Sequence, residues 1–317
     1  MTDEQRFAFM IGTGRCGSTI VGQVVAMHPD VGFIANVDDR FAGLNRKGRL
    51  NNRIYRSLPA PLQKQGGRRG GASRGRLASG VRSVAMTPSE GYRLLDRHVS
   101  PMLSEPVRDL VADDASAWLS RRLRAFFEAR AAAQGRPLFL HKFTGWPRAG
   151  LMHAVFPEAR FIHVVRDGRD VASSLVQQPW WHGFRGPGAW GFGPLSSEDE
   201  ATWLESGRSF AVLAGLEWKI LMEAFAAAER AVPAGAWLEL RYEDVVERPR
   251  EQVERLLAHL GLEWTDGFER AFAGLEFTRA RSGAYREELP ARDADLLDRV
   301  LAPALRAHGY EQLPAGG

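Results

Sequence analysis

Phe7-Ala8-Phe9-Met10-Ile11-Gly12-Thr13-Gly14-Arg15-Cys16-Gly17-Ser18-Thr19 is the stretch that decides the fold. Its first five residues are an unbroken apolar run, which suits a strand buried on both faces of a parallel sheet. A glycine-rich turn stops the run. Over 18–27 the apolar residues Ile20, Val21, Val24 and Val25 then recur at helical spacing. His28-Pro29-Asp30 ends that helix, and 31–34 reads as a second strand. Strand, glycine turn, helix and strand in close succession predict a βαβ opening.

The alternation continues downstream. Helical spacing covers 115–133, where Trp118, Leu119, Leu123, Phe126 and Phe127 form an apolar face. A strand is predicted at 138–142, a short helix at 151–156, a strong strand at 159–166 and a helix at 170–178. A long helix is predicted at 205–230, a last clear strand at 237–242, and a helix at 249–260 stopped by Gly261. This pattern predicts one domain across 1–317. Its expected class is α/β, a P-loop-type three-layer fold whose central parallel sheet is flanked by helices.

The chain has 317 residues, 44% apolar and 25% charged, the mix of an ordinary soluble globular protein. No run approaches the roughly 18 apolar residues of a membrane span. Met1-Thr2-Asp3-Glu4-Gln5 lacks the basic start and long apolar core of a signal peptide. Cys16 is the single cysteine, so no internal disulfide can form. The expected location is cytoplasmic.

The net charge of +4 is unevenly spread. Residues 46–82 hold nine Arg and two Lys with no acidic residue, so subtracting their +11 leaves −7 elsewhere. Within them Gly66-Gly67-Arg68-Arg69-Gly70-Gly71-Ala72-Ser73-Arg74-Gly75 is low-complexity and without periodicity. A flexible, solvated basic insertion is predicted, or else a mobile flap that attracts an anionic donor or acceptor. A basic segment on an acidic body does not argue for a nucleic-acid partner, and none is expected.

The glycine turn has chemistry of its own. Glycines let consecutive N–H groups face inward, and the helix N-terminus adds unpaired donors and positive potential. Ser18 and Thr19 add hydroxyls. A nucleoside triphosphatase loop places lysine directly after its second glycine, on the β- and γ-phosphates. Ser18 stands there instead, and Arg15 is the only cation in the loop. A second anion site is predicted from Arg166, at a strand's C-terminal end, and Ser174, eight residues on. A forked guanidinium and a directional hydroxyl can converge on one phosphate. Both motifs lie where open α/β sheets bind ligands.

These residues resemble the PAPS-dependent sulfotransferase superfamily. Arg15-Cys16-Gly17-Ser18-Thr19 is similar to its 5′-phosphosulfate loop, and the stretch from Arg166 to Ser174 to its 3′-phosphate motif. Leu240-Arg241-Tyr242-Glu243-Asp244-Val245-Val246 with Pro249 resembles bacterial members. So does Arg279-Ala280-Arg281-Ser282-Gly283-Ala284-Tyr285-Arg286, which is like their basic nucleotide-covering loop. The resemblance implies metal-independent, in-line transfer of SO3 from PAPS to a hydroxyl of a small molecule, lipid or glycan. It implies Arg15 and the backbone of Gly14, Cys16, Gly17, Ser18 and Thr19 at the 5′-phosphate, and Lys142 at the leaving group. Arg166 and Ser174, assisted by Arg279 or Arg281, are expected at the 3′-phosphate.

Three assignments are less constrained. Thr144 stands where many cytosolic members carry a histidine, so Asp38 and Asp39, after the second strand, are the carboxylates expected as catalytic base. His141 is a weaker alternative, since alternation along the strand turns it away from Lys142. Arg169 is expected to pair with Glu243 or Asp244 as support, and Asp167 and Asp170 to cap a helix. His163 reads as a core histidine. In 179–192 five large aromatics alternate with four glycines. They suit either an acceptor wall or a loop packed on its own rings. The competing functions are a P-loop nucleotide kinase and a PAP(S)-binding protein without catalysis.

Overall fold

Five short strands, β1 (Arg6–Ile11), β2 (Val31–Phe33), β3 (Leu138–Lys142), β4 (Arg160–Val165) and β5 (Trp237–Arg241), form one sheet. Their order is β2-β3-β1-β4-β5, and every pairing is parallel. The computed structural model describes residues 6–44, 47–58, 85–275, 277 and 282–310.

Side chains alternate along β1. Phe7, Phe9 and Ile11 enter one core with Phe139 and Phe161, while Ala8 and Met10 enter the other with Leu140 and Ile162. Both faces are therefore covered, which is why these strands read as continuous apolar runs. The helices Ala117–Gln134, Ala149–Val155, Gly168–Val176, Phe210–Arg230 and Ala291–Ala307 pack on the first face. Ser18–Ala26, Pro249–Leu260 and Asp266–Phe272 cover the second. The three layers are thus in place.

Chain order reverses about β1, with β3 and β2 on one side and β4 and β5 on the other. The crevice at such a reversal lies beyond the strand C-termini, where the glycine loop leaves β1.

Two expectations are corrected. The helix predicted at 205–230 begins only at Phe210, and a separate helix, Ser197–Glu205, which was not predicted, ends where it was expected to start. Gly207 and Arg208 between them have φ of 74° and 60°, and Ser209 Oγ restarts the helix by accepting the Val212 N–H at 3.3 Å. Secondly, part of the irregular 46–82 segment is ordered, because Asn51–Ser57 is helical. Asn52 Nδ2 donates to the carbonyls of Ala26 and His28, and Asn51 Nδ2 to that of Phe33. These amides satisfy the ends of the first helix and of β2, which polar composition alone does not reveal. The glycine-arginine run within 59–82 lies outside the described residues.

Candidate functional site

Gly14, Arg15 and Gly17 have φ of 81°, 55° and 91°, three left-handed positions in four residues. This winding turns the backbone back on itself between β1 and the helix Ser18–Ala26. Gly17 is the helix N-cap and offers no side chain, so the Ser18 and Thr19 N–H groups are not taken up by a side-chain cap, while that of Ile20 donates to the Gly17 carbonyl at 3.0 Å. A Cβ on Gly17 would lie 2.2 Å from the Tyr242 ring, so the close approach of that ring also requires glycine. Cys16 is buried beneath the loop and presents only backbone to it.

Arg15 joins the two predicted phosphate motifs. Its Nε donates to Ser174 Oγ at 2.8 Å, and its carbonyl accepts from Arg166 Nη1 at 3.1 Å. The Arg166 guanidinium lies over the Tyr242 ring at 5.0 Å and 3.9 Å from Asp170. Burial first, and the neighbouring Arg166 second, hold the Arg15 guanidinium below its ordinary range. Two cations facing each other at a sheet crevice favour an anion between them. Arg279 and Arg281, the other expected partners, lie outside the described residues.

Lys142 occupies the other side. It is buried at the end of β3, where its Nζ donates to Thr19 Oγ1 at 3.1 Å and pairs with Glu90 Oε1 at 2.9 Å. β3 thus brings an ammonium to a loop that lacks the triphosphatase lysine. Glu90 was not anticipated from sequence. It follows a short antiparallel bridge between Ala35 and Pro88, so a segment distant in sequence returns beside β2. Nothing in the local pattern around Pro88-Ser89-Glu90-Gly91 announces that return.

The expected carboxylates are placed differently from each other. Asp38 is buried, its Oδ2 accepting the Ala35 N–H at 3.0 Å and Asn51 Nδ2 at 2.5 Å. The first bond closes the start of a short helix, Asn36–Arg40, the second comes from the helix Asn51–Ser57, and together they hold Asp38 inward. Asp39 is half-buried and accepts the Leu94 N–H at 3.1 Å. Burial raises its carboxyl above the usual range, a shift that hydrogen bonds from Leu94 and Arg93 oppose. His141 points to the opposite face, its ring against Phe127 and Phe143. Burial and then the nearby cations push it down to about 3, so it stays neutral. His163 stacks on Phe225 in the core, 3.3 Å from Glu239.

Arg169 takes other partners than expected. It pairs with Asp167 at 2.6 Å and Asp298 at 2.9 Å, while Glu243 accepts the Asp167 N–H. Asp167 caps the helix Gly168–Val176 by accepting the Arg169 N–H. Asp170 does not cap. It accepts the N–H groups of Gly283 and Tyr285, tying the chain beyond the basic C-terminal loop to this helix. Desolvation raises Asp170 to about 6 although Arg166 pulls it down.

The aromatic stretch divides. Trp181 and Trp190 are packed, donating to Glu217 Oε2 and to the Gly193 carbonyl, whereas Trp180 and Phe184 are more than half exposed. A contact path runs from the glycine loop to it. The Gly145 N–H donates to the Gly12 carbonyl, and Trp146 lies 6.0 Å from Phe192, itself 5.5 Å from Trp190. Beyond Gly193 is a cleft of about 550 Å3 walled by Val107, Arg108, Gly188 and Pro194. Arg108 there is bidentate to Asp114, both bonds 2.8 Å, so the wall's charge is offset.

Among the described residues no helix is long and apolar enough to cross a membrane, and no acidic, histidine or cysteine side chains cluster to hold a metal.

Residues 8–266 match the family model described as "Sulfotransferase family". Solved structures similar to the chain include sulfotransferase STF9 from Mycobacterium avium, at 14% identity and a TM-score of 0.57, covering 97% of this chain and 78% of that one. Sulfotransferase STF1 from Mycobacterium tuberculosis H37Rv is similar at 16% identity and a TM-score of 0.51, covering 94% and 77%. No curated protein sequence matches the chain.

Proposed function

The chain belongs to the sulfotransferase family, and from that premise we propose that it moves a sulfuryl group from PAPS to an acceptor hydroxyl. The observation that carries the reading is the double engagement of Arg15, whose side chain meets Ser174 while its carbonyl meets Arg166. One residue of the 5′ loop thereby spans both phosphate motifs. Two separate anion motifs fit a ligand with two separate phosphate groups better than a linear triphosphate, and Ser18 stands where a triphosphatase loop needs lysine. Bound there, PAPS supplies the sulfuryl group, which passes to the acceptor oxygen as the bond to the 5′-phosphate oxygen breaks.

The residues divide the work. The backbone of Gly14, Cys16, Gly17, Ser18 and Thr19 donates to the 5′-phosphate, and Arg15 adds a charged fork. Lys142, 3.1 Å from Thr19, faces the negative charge that builds on the departing oxygen. Arg166 and Ser174 hold the 3′-phosphate, with Arg279 or Arg281 supplementing them. Glu90, against Lys142, accepts the proton of the acceptor hydroxyl. We favour it over Asp38, which is buried with its Oδ2 held by Ala35 and Asn51, and over Asp39, engaged by Leu94. The acceptor enters from the Trp146 side, where the aromatic loop and its cleft offer apolar walls. In keeping with the family, we propose a cytoplasmic enzyme that works without a metal.

Calorimetric titration with PAP in the presence of a chelator tests the donor site, with ATP as the control. PAP is expected to bind and ATP not. Removing a charge-assisted contact costs about 1.5–3 kcal/mol, so Arg15→Ala should weaken PAP about ten- to a hundredfold. Normal transfer of labelled sulfate by Arg15→Ala would overturn the donor assignment.

A further inference from the structure

We propose that the Tyr92 hydroxyl is a positioning group that ties the Glu90 segment to the strand carrying Lys142; the inference rests on the reading of Glu90 as the base. Lys142 ends β3, whereas Glu90 arrives on a loop attached to the β2 side. There the Asn36 N–H donates to the Thr87 carbonyl at 3.0 Å and the Ser89 N–H to that of Ile34 at 2.8 Å. After Glu90, Gly91 turns the chain with φ of 63°, and Tyr92 opens the helix Tyr92–His98. A Cβ on Gly91 would meet Ile34 at 3.2 Å, so the turn is pressed against the end of β2.

The tie to β3 is made by one oxygen. Tyr92 Oη accepts the Thr144 N–H at 3.0 Å and donates to the Thr144 carbonyl at 2.9 Å. Thr144 comes two residues after Lys142, just beyond the strand. A single phenol thus pairs both backbone groups of that residue, as a neighbouring strand would. The Arg148 guanidinium donates to the same Thr144 carbonyl at 3.2 Å and to that of Trp146, and lies 5.9 Å from the Tyr92 ring. The next residue, Gly145, donates to Gly12 in the glycine loop. Tyr92 therefore anchors the Glu90 turn to the backbone just beyond Lys142, two residues from the carboxylate it positions, while the Phe143 and Gly145 N–H groups hold that strand end to Met10 and Gly12 without it.

Tyr92→Phe removes the oxygen and keeps the ring, and it is to be compared with Glu90→Gln and the double variant. Small displacements of a reacting group cost one to two orders of magnitude in rate. Tyr92→Phe is expected to lower kcat about tenfold, with donor KM and PAP affinity within about twofold of wild type. In the Glu90→Gln background it should add no further loss, because there is no base left to misplace. Thr144 amide exchange, followed by NMR, should accelerate in Tyr92→Phe without any substrate present. Wild-type kcat in Tyr92→Phe, equal losses in both backgrounds, or an unchanged Thr144 amide would each overturn the positioning role. Wild-type turnover in Glu90→Gln would instead remove the base itself, and this proposal with it.

Discussion

At the scale of single residues, the site depends on backbone positions as much as on charges. Gly17 meets two demands, a φ of 91° and contact with the Tyr242 ring, and Tyr242 in turn lies under the Arg166 guanidinium. A methyl group there must displace the ring and strain the turn, at a cost of about 1–3 kcal/mol. Gly17→Ala is therefore expected to lower the denaturant midpoint. It should also weaken PAP binding more than a surface substitution of equal stability cost, because the displaced ring carries Arg166 with it. Titration of the two variants with PAP, matched for stability, checks this.

At the scale of elements, legibility followed locality. β1 and β4 could be read because each is an apolar run with both faces buried, and 249–260 because Pro249 and Gly261 mark its ends. The break at Gly207 was missed because 205–209 carry no apolar residue to set a period, so the stop shows in the positive φ of Gly207 and Arg208. That Arg15, Arg166, Ser174 and Lys142 come close together could be read because each lies beside a strand end, or on the helix leaving one, that the pattern located. Glu90 could not be read, because it depends on the bridge between Ala35 and Pro88, a long-range pairing without a local signature. Glu217 was also passed over, although Leu213 and Leu221, four residues to either side, set it on the helix's apolar face. On the helix Phe210–Arg230 it is buried, accepts the Trp181 indole N–H at 2.9 Å, and is raised by desolvation to about 8. A carboxyl whose folded value exceeds its unfolded one binds more protons in the native state between the two. Its contribution to stability is therefore greatest at low pH and declines as pH rises from about 4.5 to about 8. Glu217→Gln keeps the acceptor oxygen and cannot ionise. Its melting temperature should exceed the wild type's by a gap that opens above about pH 4.5 and levels off past about pH 8. A gap independent of pH would show that Glu217 is not a buried neutral acid.

At the scale of the whole molecule, the sheet assembles the donor site from parts distant in sequence. β1 brings the glycine loop, β3 brings Lys142, and β4 brings Arg166 with the helix that holds Ser174. Both halves of the sheet meet only across β1, so a ligand contacting all three strand ends favours the folded chain as a unit. At a hundredfold excess over Kd, binding to the native state alone adds about 2.7 kcal/mol. With an unfolding entropy of about 2.1 cal/mol/K per residue, 317 residues convert that into a rise of about 4 °C. PAP should therefore raise the melting temperature by a few degrees in a scan followed by circular dichroism, and ATP should leave it unchanged. Arg166→Ala breaks the link between β4 and the Arg15 carbonyl as well as the predicted 3′-phosphate contact. It should abolish most of the rise at the same PAP concentration while the unliganded melting temperature changes little. A full rise in Arg166→Ala would move the 3′-phosphate away from β4, and an equal rise with ATP would return the site to an ordinary nucleotide-binding loop.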